Sequence, residues 1–244
     1  MLRGTFRPDA LSGERYFRWR GGDVSRLEGL ADAVFALSLT LLVVRLDVPQ
    51  SFAEVKYALF HAPVYLACFS LFLWIWYCHH QFHRRYGLED PLTGALDGAI
   101  LFVVLLFALP LRFVAELVYS QIRFGPPAVV RGTSGEPLAG PQGELVQMVM
   151  PADADLVMEF YAGGFALVFG LFALQAFNAL CRSNALQLDE LERAVTRGAV
   201  RAHGLSATIG LIALALALFT GAPAGAIGAV FFAMGPAHGL LGCQ

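Results

Sequence analysis

Six side chains have the types and spacing to do chemistry: Arg26, Asp32, His79, His80, His83 and Asp97. All lie in or beside apolar segments. There, carboxylates and imidazoles are costly, face protein or water rather than lipid, and mark proton relays, ion paths or bracing contacts. His79 and His83 stand at i and i+4 and could grip one metal ion from a shared helix face. His79 and His80 are adjacent, about 100° apart on a helix, and could not. A lone pair does not make a metal centre, and His61, His203 and His238 stand isolated. No metal and no cofactor is therefore expected. The more economical role for His79 and His80 is to hydrogen-bond Arg26 and Asp32, which end a neighbouring helix at the same depth.

The elements that must position these groups are membrane helices. Of the 244 residues, 57% are hydrophobic and only 15% charged, against about a quarter charged in soluble domains. Mean hydropathy is +0.61, and several runs approach the roughly twenty residues that span a bilayer. The net charge of −2 gives no hint of a nucleic-acid partner. Cys68, Cys78, Cys181 and Cys243 all sit in or at the edge of apolar segments without CxxC spacing, as small hydrophobes do.

Six spans are expected, near 28–46, 55–82, 94–119, 155–181, 199–220 and 222–241. The first has the arginines and core length of a signal peptide, but residues 44–49 offer no small-x-small cleavage site, so it reads as a retained helix. Pro110 should kink the third span. Gly163, Gly164 and Gly170 should let the fourth approach a neighbour closely. Residues 1–25 read as a loose or membrane-surface tail, and 26–244 as one six-span domain. Residues 120–154 form an outer loop long enough for a small cap, and Asp189 to Arg197 suggest a short amphipathic helix with a solvated face. Arginines cluster before the first span, after the second and between the fourth and fifth, which places both termini in the cytoplasm of a multi-pass protein of the cell membrane.

On the first helix Leu37, Thr40 and Val44 fall at i, i+3 and i+7, on one face, with Leu30, Ala33 and Leu41 on or beside it. Asp32 lies about 140° from Leu37 and points to a neighbouring helix instead. Taken alone, Leu37 and Val44 read as ordinary packing, and Thr40 as a side chain bonding back to its own helix.

The segment also resembles the opening of the endolysosomal potassium-channel family and its bacterial single-repeat relatives. That family's signature is Arg-x-x-x-Phe-Ser-Asp, and Arg26, Leu30, Ala31 and Asp32 hold its four places. Ala33 to Val44 resembles the family's first helix, and Trp76, His79, His80 and Phe82 resemble its second. Asp97 stands in the third helix where Asn is usual. Phe and Ser of the signature are replaced by Leu30 and Ala31, so one aromatic contact and one hydroxyl are gone.

The resemblance implies an all-α fold of six spans per subunit, in a homotetramer whose first helices line a central pore for potassium ions. It implies Leu37 as a narrow hydrophobic constriction, Thr40 as the polar layer tied to potassium preference, and Val44 as an outer apolar ring. Arg26, Asp32, Trp76, His79, His80 and Asp97 would form a supporting polar network. The family has no TVGYG-type filter, and this chain contains none. The expected function is passive potassium-over-sodium conduction, not enzymatic turnover. A proton-coupled transporter using Asp32, Asp97 and His79 is the alternative, but no convincing internal repeat accompanies it. A membrane metal enzyme built on the histidines would need more convergent polar groups than the chain offers.

Overall fold

The computed structural model describes residues 17–43, 51–60, 62–125, 129–132, 135–141, 143–148, 153–220 and 230. These form six helices: α1 (Arg26–Val43), α2 (Phe52–Phe60), α3 (Ala62–Tyr86), α4 (Pro91–Phe124), α5 (Ala154–Cys181) and α6 (Glu190–Thr220). Four helical segments are long and apolar enough to cross a membrane: Ala62–Tyr86, Pro91–Ala108, Leu156–Cys181 and Glu190–Thr220. α1 carries Arg26, Glu28 and Asp32 within its 18 residues.

Each start has a local cause. Before α1, Ser25 and Glu28 form a reciprocal capping box: Glu28 N–H donates to Ser25 Oγ at 3.1 Å, and Ser25 N–H to Glu28 Oε2 at 2.7 Å. Glu28 is thus spent on a helix end rather than on a membrane site. Gly87 turns the chain between α3 and α4 at φ +56°, a conformation that side chains resist. Asp90 then caps α4 by accepting from Leu92 N–H at 3.2 Å and Thr93 Oγ1 at 2.6 Å, and Pro91 follows at the first helical position, where no N–H is needed. Asp189 and Glu192 repeat the capping box at α6, with bonds of 2.8 and 3.1 Å.

The main core is contributed by four helices. Ala31, Phe35 and Leu42 of α1 meet Phe72 and Ile75 of α3, Ile100 and Val104 of α4, and Phe169 and Phe172 of α5. A second cluster at the charged end joins Phe17, Phe82, Tyr86, Leu186 and Leu188. α5 and α6 form the most extensive helix pair. They approach closely at Gly210, where a Cβ would lie 2.9 Å from Ala166 N. Of the glycines expected to serve close contact, Gly164 faces the Phe107 ring of α4 and Gly163 faces Leu214 of α6, 3.9 Å from where a Cβ would stand, whereas Gly170 faces open space.

Other expectations are revised. The second span corresponds to two helices, α2 and α3, on either side of His61, which lies outside the described residues. The third span, expected at 94–119, is the longer α4, Pro91–Phe124, with Pro110 inside it. The amphipathic helix expected at 189–197 is no separate element but the first turns of α6. The expected sixth span at 222–241 lies outside the described residues, apart from Val230.

Residues 129–147 do form a small cap. Three short extended segments exchange bonds in a ring: Val130 N–H to Val146 O at 2.7 Å, Leu138 N–H to Val130 O at 2.9 Å, and Val146 N–H to Leu138 O at 3.0 Å. Two turns, Gly132–Gly135 and Gly140–Gly143, join them.

Candidate functional site: a charged collar around the start of the first helix

α1 presents two opposed stripes. Ala31, Phe35, Ser38 and Leu42 are buried against the bundle, while Leu30, Ala33, Leu37 and Thr40 are exposed. Leu37 remains 50% exposed and Leu30 56%, large apolar side chains with nothing over them in the single chain. Thr40 Oγ1 donates to Ala36 O at 2.8 Å, the backbone bond expected of it, which leaves the oxygen's lone pairs free to accept. Val44 lies outside the described residues.

Asp32 is turned from this stripe toward α3, where Trp76 Nε1 donates to its Oδ1 at 2.8 Å. Trp76 in turn stacks on His80, ring centroids 5.2 Å apart and 18° from parallel. The expected partnership of His79 with Arg26 and Asp32 is not formed. His79 instead faces α4, its Nε2 3.1 Å from Asp97 Oδ1. Arg26 is exposed and touches neither histidine nor Asp32 among the described residues. The six residues of the expected polar network thus separate into an α1–α3 set, Asp32, Trp76 and His80, and an α3–α4 set, His79 and Asp97, with Arg26 apart.

Two further residues join the second set. His83 Nε2 lies 3.2 Å from both carboxylate oxygens of Asp97, and Gln175 of α5 donates its Nε2 to Asp97 Oδ1 at 2.5 Å. His79, His83, Asp97 and Gln175 are all essentially sealed from solvent. The i, i+4 spacing of the histidines was visible in the chain, but the convergence of Asp97 and Gln175 depends on how three helices pack.

The collar is closed by the segment before α1. Residues expected to be loose are docked from Phe17 onward. Arg20 and Gly21 N–H groups donate to Arg84 O at 3.0 and 3.1 Å, and the Arg84 guanidinium reaches Gly22 O at 3.0 Å. Arg18 and Arg20 converge on Glu192, whose carboxylate accepts from Arg18 N–H at 2.8 Å and from Arg20 Nη2 at 2.6 Å. Glu192 is 1% exposed, so the solvated face expected at 189–197 is wrong at this position. Two arginines and a capping role explain how a carboxylate is tolerated there. Nearby, Arg182 pairs with Asp90 at 2.9 Å. Burial alone would push the Asp90 carboxyl up, but hydrogen bonds from Thr93 and Leu92 and the Arg182 charge hold it below the usual carboxylate range.

Such a bundle, apolar along its length, charged at one end, with an uncovered face on its first helix, is an all-helical protein of the membrane type. The family model described as the endosomal/lysosomal potassium channel TMEM175 matches residues 26–108. Over 202 residues the chain is 30% identical to a protein of Marivirga tractuosa named as a potassium channel, covering 83% of this chain and 78% of that one. Over 110 residues it is 31% identical to a potassium channel of Chamaesiphon minutus, covering 41% and 54%. The crystal structure of a single-residue variant of the potassium channel MtTMEM175, in complex with a Nanobody-MBP fusion protein, superposes with a TM-score of 0.78 at 27% identity. That match covers 94% of this chain and 96% of the other. A lysosomal potassium-selective channel TMEM175 homolog from Chamaesiphon minutus shares the fold, with a TM-score of 0.52 at 19% identity over 88% and 95%. The chain belongs to the TMEM175 potassium channel family.

Proposed function

We propose that the chain is the subunit of a passive potassium channel, in which four copies place α1 around a central pore. The exposed stripe Leu30–Ala33–Leu37–Thr40, opposite a fully packed one, is the observation that carries this reading. Facing lipid would set Arg26, the exposed charge at the start of the same short helix, beside hydrocarbon, which is costly. Facing a water-filled axis lined by sister copies removes that cost. Family membership supports the same arrangement, with six spans in each subunit, the sixth at 222–241. The arginine distribution supports cytoplasmic termini in the plasma membrane.

In this reading Leu37 forms the constriction, where a ring of leucines excludes water and so blocks ions until it widens. Thr40 supplies four hydroxyl oxygens with free lone pairs, able to replace part of an ion's hydration. Val44 forms the outer apolar ring. Asp32, Trp76 and His80 hold α1 against α3 so that the stripe keeps its angle. The proton-coupled transporter reading fits less well: Asp97 is sealed in a hydrogen-bonded cluster and Asp32 is engaged by Trp76, so neither is presented as a carrier on the open stripe. No enzymatic chemistry is proposed for the collar.

Flux from liposomes containing purified protein tests this. Potassium efflux should follow the electrical gradient at channel rates, increase in Leu37→Asn, and lose potassium-over-sodium preference in Thr40→Ala. Saturable flux strictly coupled to protons, or a monomer by mass measurement, would sink the proposal.

A further inference from the structure

Potassium conduction leaves one buried cluster without a task. Asp97 is fully buried between α3, α4 and α5, and among the described residues no Arg or Lys forms an ion pair with it. Its neighbours are two imidazole nitrogens and an amide. Gln175 Nε2 donates to Asp97 Oδ1, yet Gln175 Oε1 is buried with no hydrogen-bond donor, and Asp97 Oδ2 also lacks one of acceptable geometry. Two sealed acceptor oxygens without donors destabilise the fold as it stands. A cation between them and the imidazoles would satisfy the whole group at once.

We propose that His79, His83 and Asp97 bind a divalent first-row transition-metal ion, with a water or the Gln175 oxygen completing four ligands. The donor atoms of the three residues all lie within 4.8 Å of one another. In a tetrahedral site with metal–ligand distances of about 2.1 Å, neighbouring ligand atoms are separated by about 3.4 Å. His79 Nε2 to Asp97 Oδ1, at 3.1 Å, and His83 Nε2 to Oδ2, at 3.2 Å, already approach that spacing. The two rings stand side by side, their centroids 4.5 Å apart. The helix supplies both imidazoles from one face by i, i+4 spacing, and the Gln175 amide nitrogen holds the carboxylate at Oδ1, as partners of metal ligands usually do.

Two imidazoles and one carboxylate suit zinc, cobalt, nickel or ferrous iron rather than potassium, magnesium or calcium, which take oxygen ligands. The ion would staple α3 to α4 one helical turn beyond the Trp76–His80 stack.

The test uses tag-free, full-length protein stripped with a chelator and then titrated with Co²⁺, followed by competition with Zn²⁺. The expected result is one ion per chain, the visible absorption of four-coordinate Co²⁺, and its loss on adding Zn²⁺. Asp97→Asn and His83→Gln should each weaken Zn²⁺ binding at least ~10–100-fold, while His203→Gln on α6 should leave it unchanged. Asn is the residue usual at this place in the family, so Asp97→Asn should still assemble; if it does not, His83→Gln decides. Wild-type protein that retains no Co²⁺ or Zn²⁺ at micromolar free metal would overturn the proposal. So would both variants binding as wild type does. Metal content is read directly, so failure here is distinct from failure to conduct potassium.

Discussion

Replacing Glu192 by Gln should release the segment before α1 while leaving the bundle intact. The carboxylate accepts hydrogen bonds from Arg18 N–H, Nε and Nη2 and from Arg20 Nη1 and Nη2. Breaking a buried ion pair at one partner costs about 3–5 kcal/mol, whereas an exposed pair contributes about 0–1 kcal/mol. Here Glu192 is sealed, Arg20 is 14% exposed and Arg18 46%. Arg18 can therefore return to water, and Arg20 keeps the carbonyls of Leu186 and Arg18 at 2.7 and 2.9 Å. The discounted cost is about 2 kcal/mol, which is about 30-fold in a local opening equilibrium. Amide hydrogen exchange reads that equilibrium directly. Protection of Arg18, Arg20 and Gly21 should drop about 30-fold, with α4 and α5 unchanged. A drop below about threefold would refute the anchoring role, and equal loosening of all helices would show that Glu192 supports the fold at large.

Gly210→Leu should destabilise the protein by about 1–3 kcal/mol, because its Cβ meets the Ala166 backbone, while Gly170→Ala, in open space, should be neutral or mildly stabilising; thermal unfolding in detergent compares them. Trp76→Phe should cost about 1 kcal/mol by removing the donor to Asp32, and Asp32→Asn, which keeps an acceptor, should cost less; the reverse order in the same assay would contradict the contact. For Asp90 the folded carboxyl titrates below its ordinary value, so its contribution is present above about pH 4 and is lost as pH falls through the lowered folded value. As the pH falls below about 4, stability of the wild type should therefore decline more steeply than that of Asp90→Asn.

The helices were legible because long apolar runs with charged ends leave few other structures open to a chain in lipid. The two faces of α1 were legible for the same reason that Asp32 was correctly turned toward α3: both depend only on helical pitch. Glu28 was visible as an acid within an expected span, yet the Ser25-x-x-Glu28 spacing marks a helix cap, a local signal that outweighs hydropathy there. Glu192 was not legible as a buried group, since its partners Arg18 and Arg20 stand more than 170 residues away. The convergence of Asp97 and Gln175 on the histidine pair is likewise a product of three-helix packing. In the cap over 129–147, the repeated Gly-x-x-Gly-Glu at Gly132–Glu136 and Gly140–Glu144 was a signal in plain view. Each copy makes a turn that returns the chain to the same ring of backbone bonds.

The docking of residues 17–22 sets a length limit on the first helix. Gly21 and Gly22 are fastened to Arg84, and α1 begins at Arg26, so only Asp23, Val24 and Ser25 lie between mooring and helix. Four fully extended steps reach at most about 14 Å, and the Ser25–Glu28 cap takes up part of that slack. The charged end of α1 can swivel or tilt on this short leash, but it cannot travel far without pulling on the α3–α4 corner and the start of α6. In the proposed tetramer, widening the ring of first helices would then be a coordinated act of each whole subunit, with the leash setting how far the iris can open.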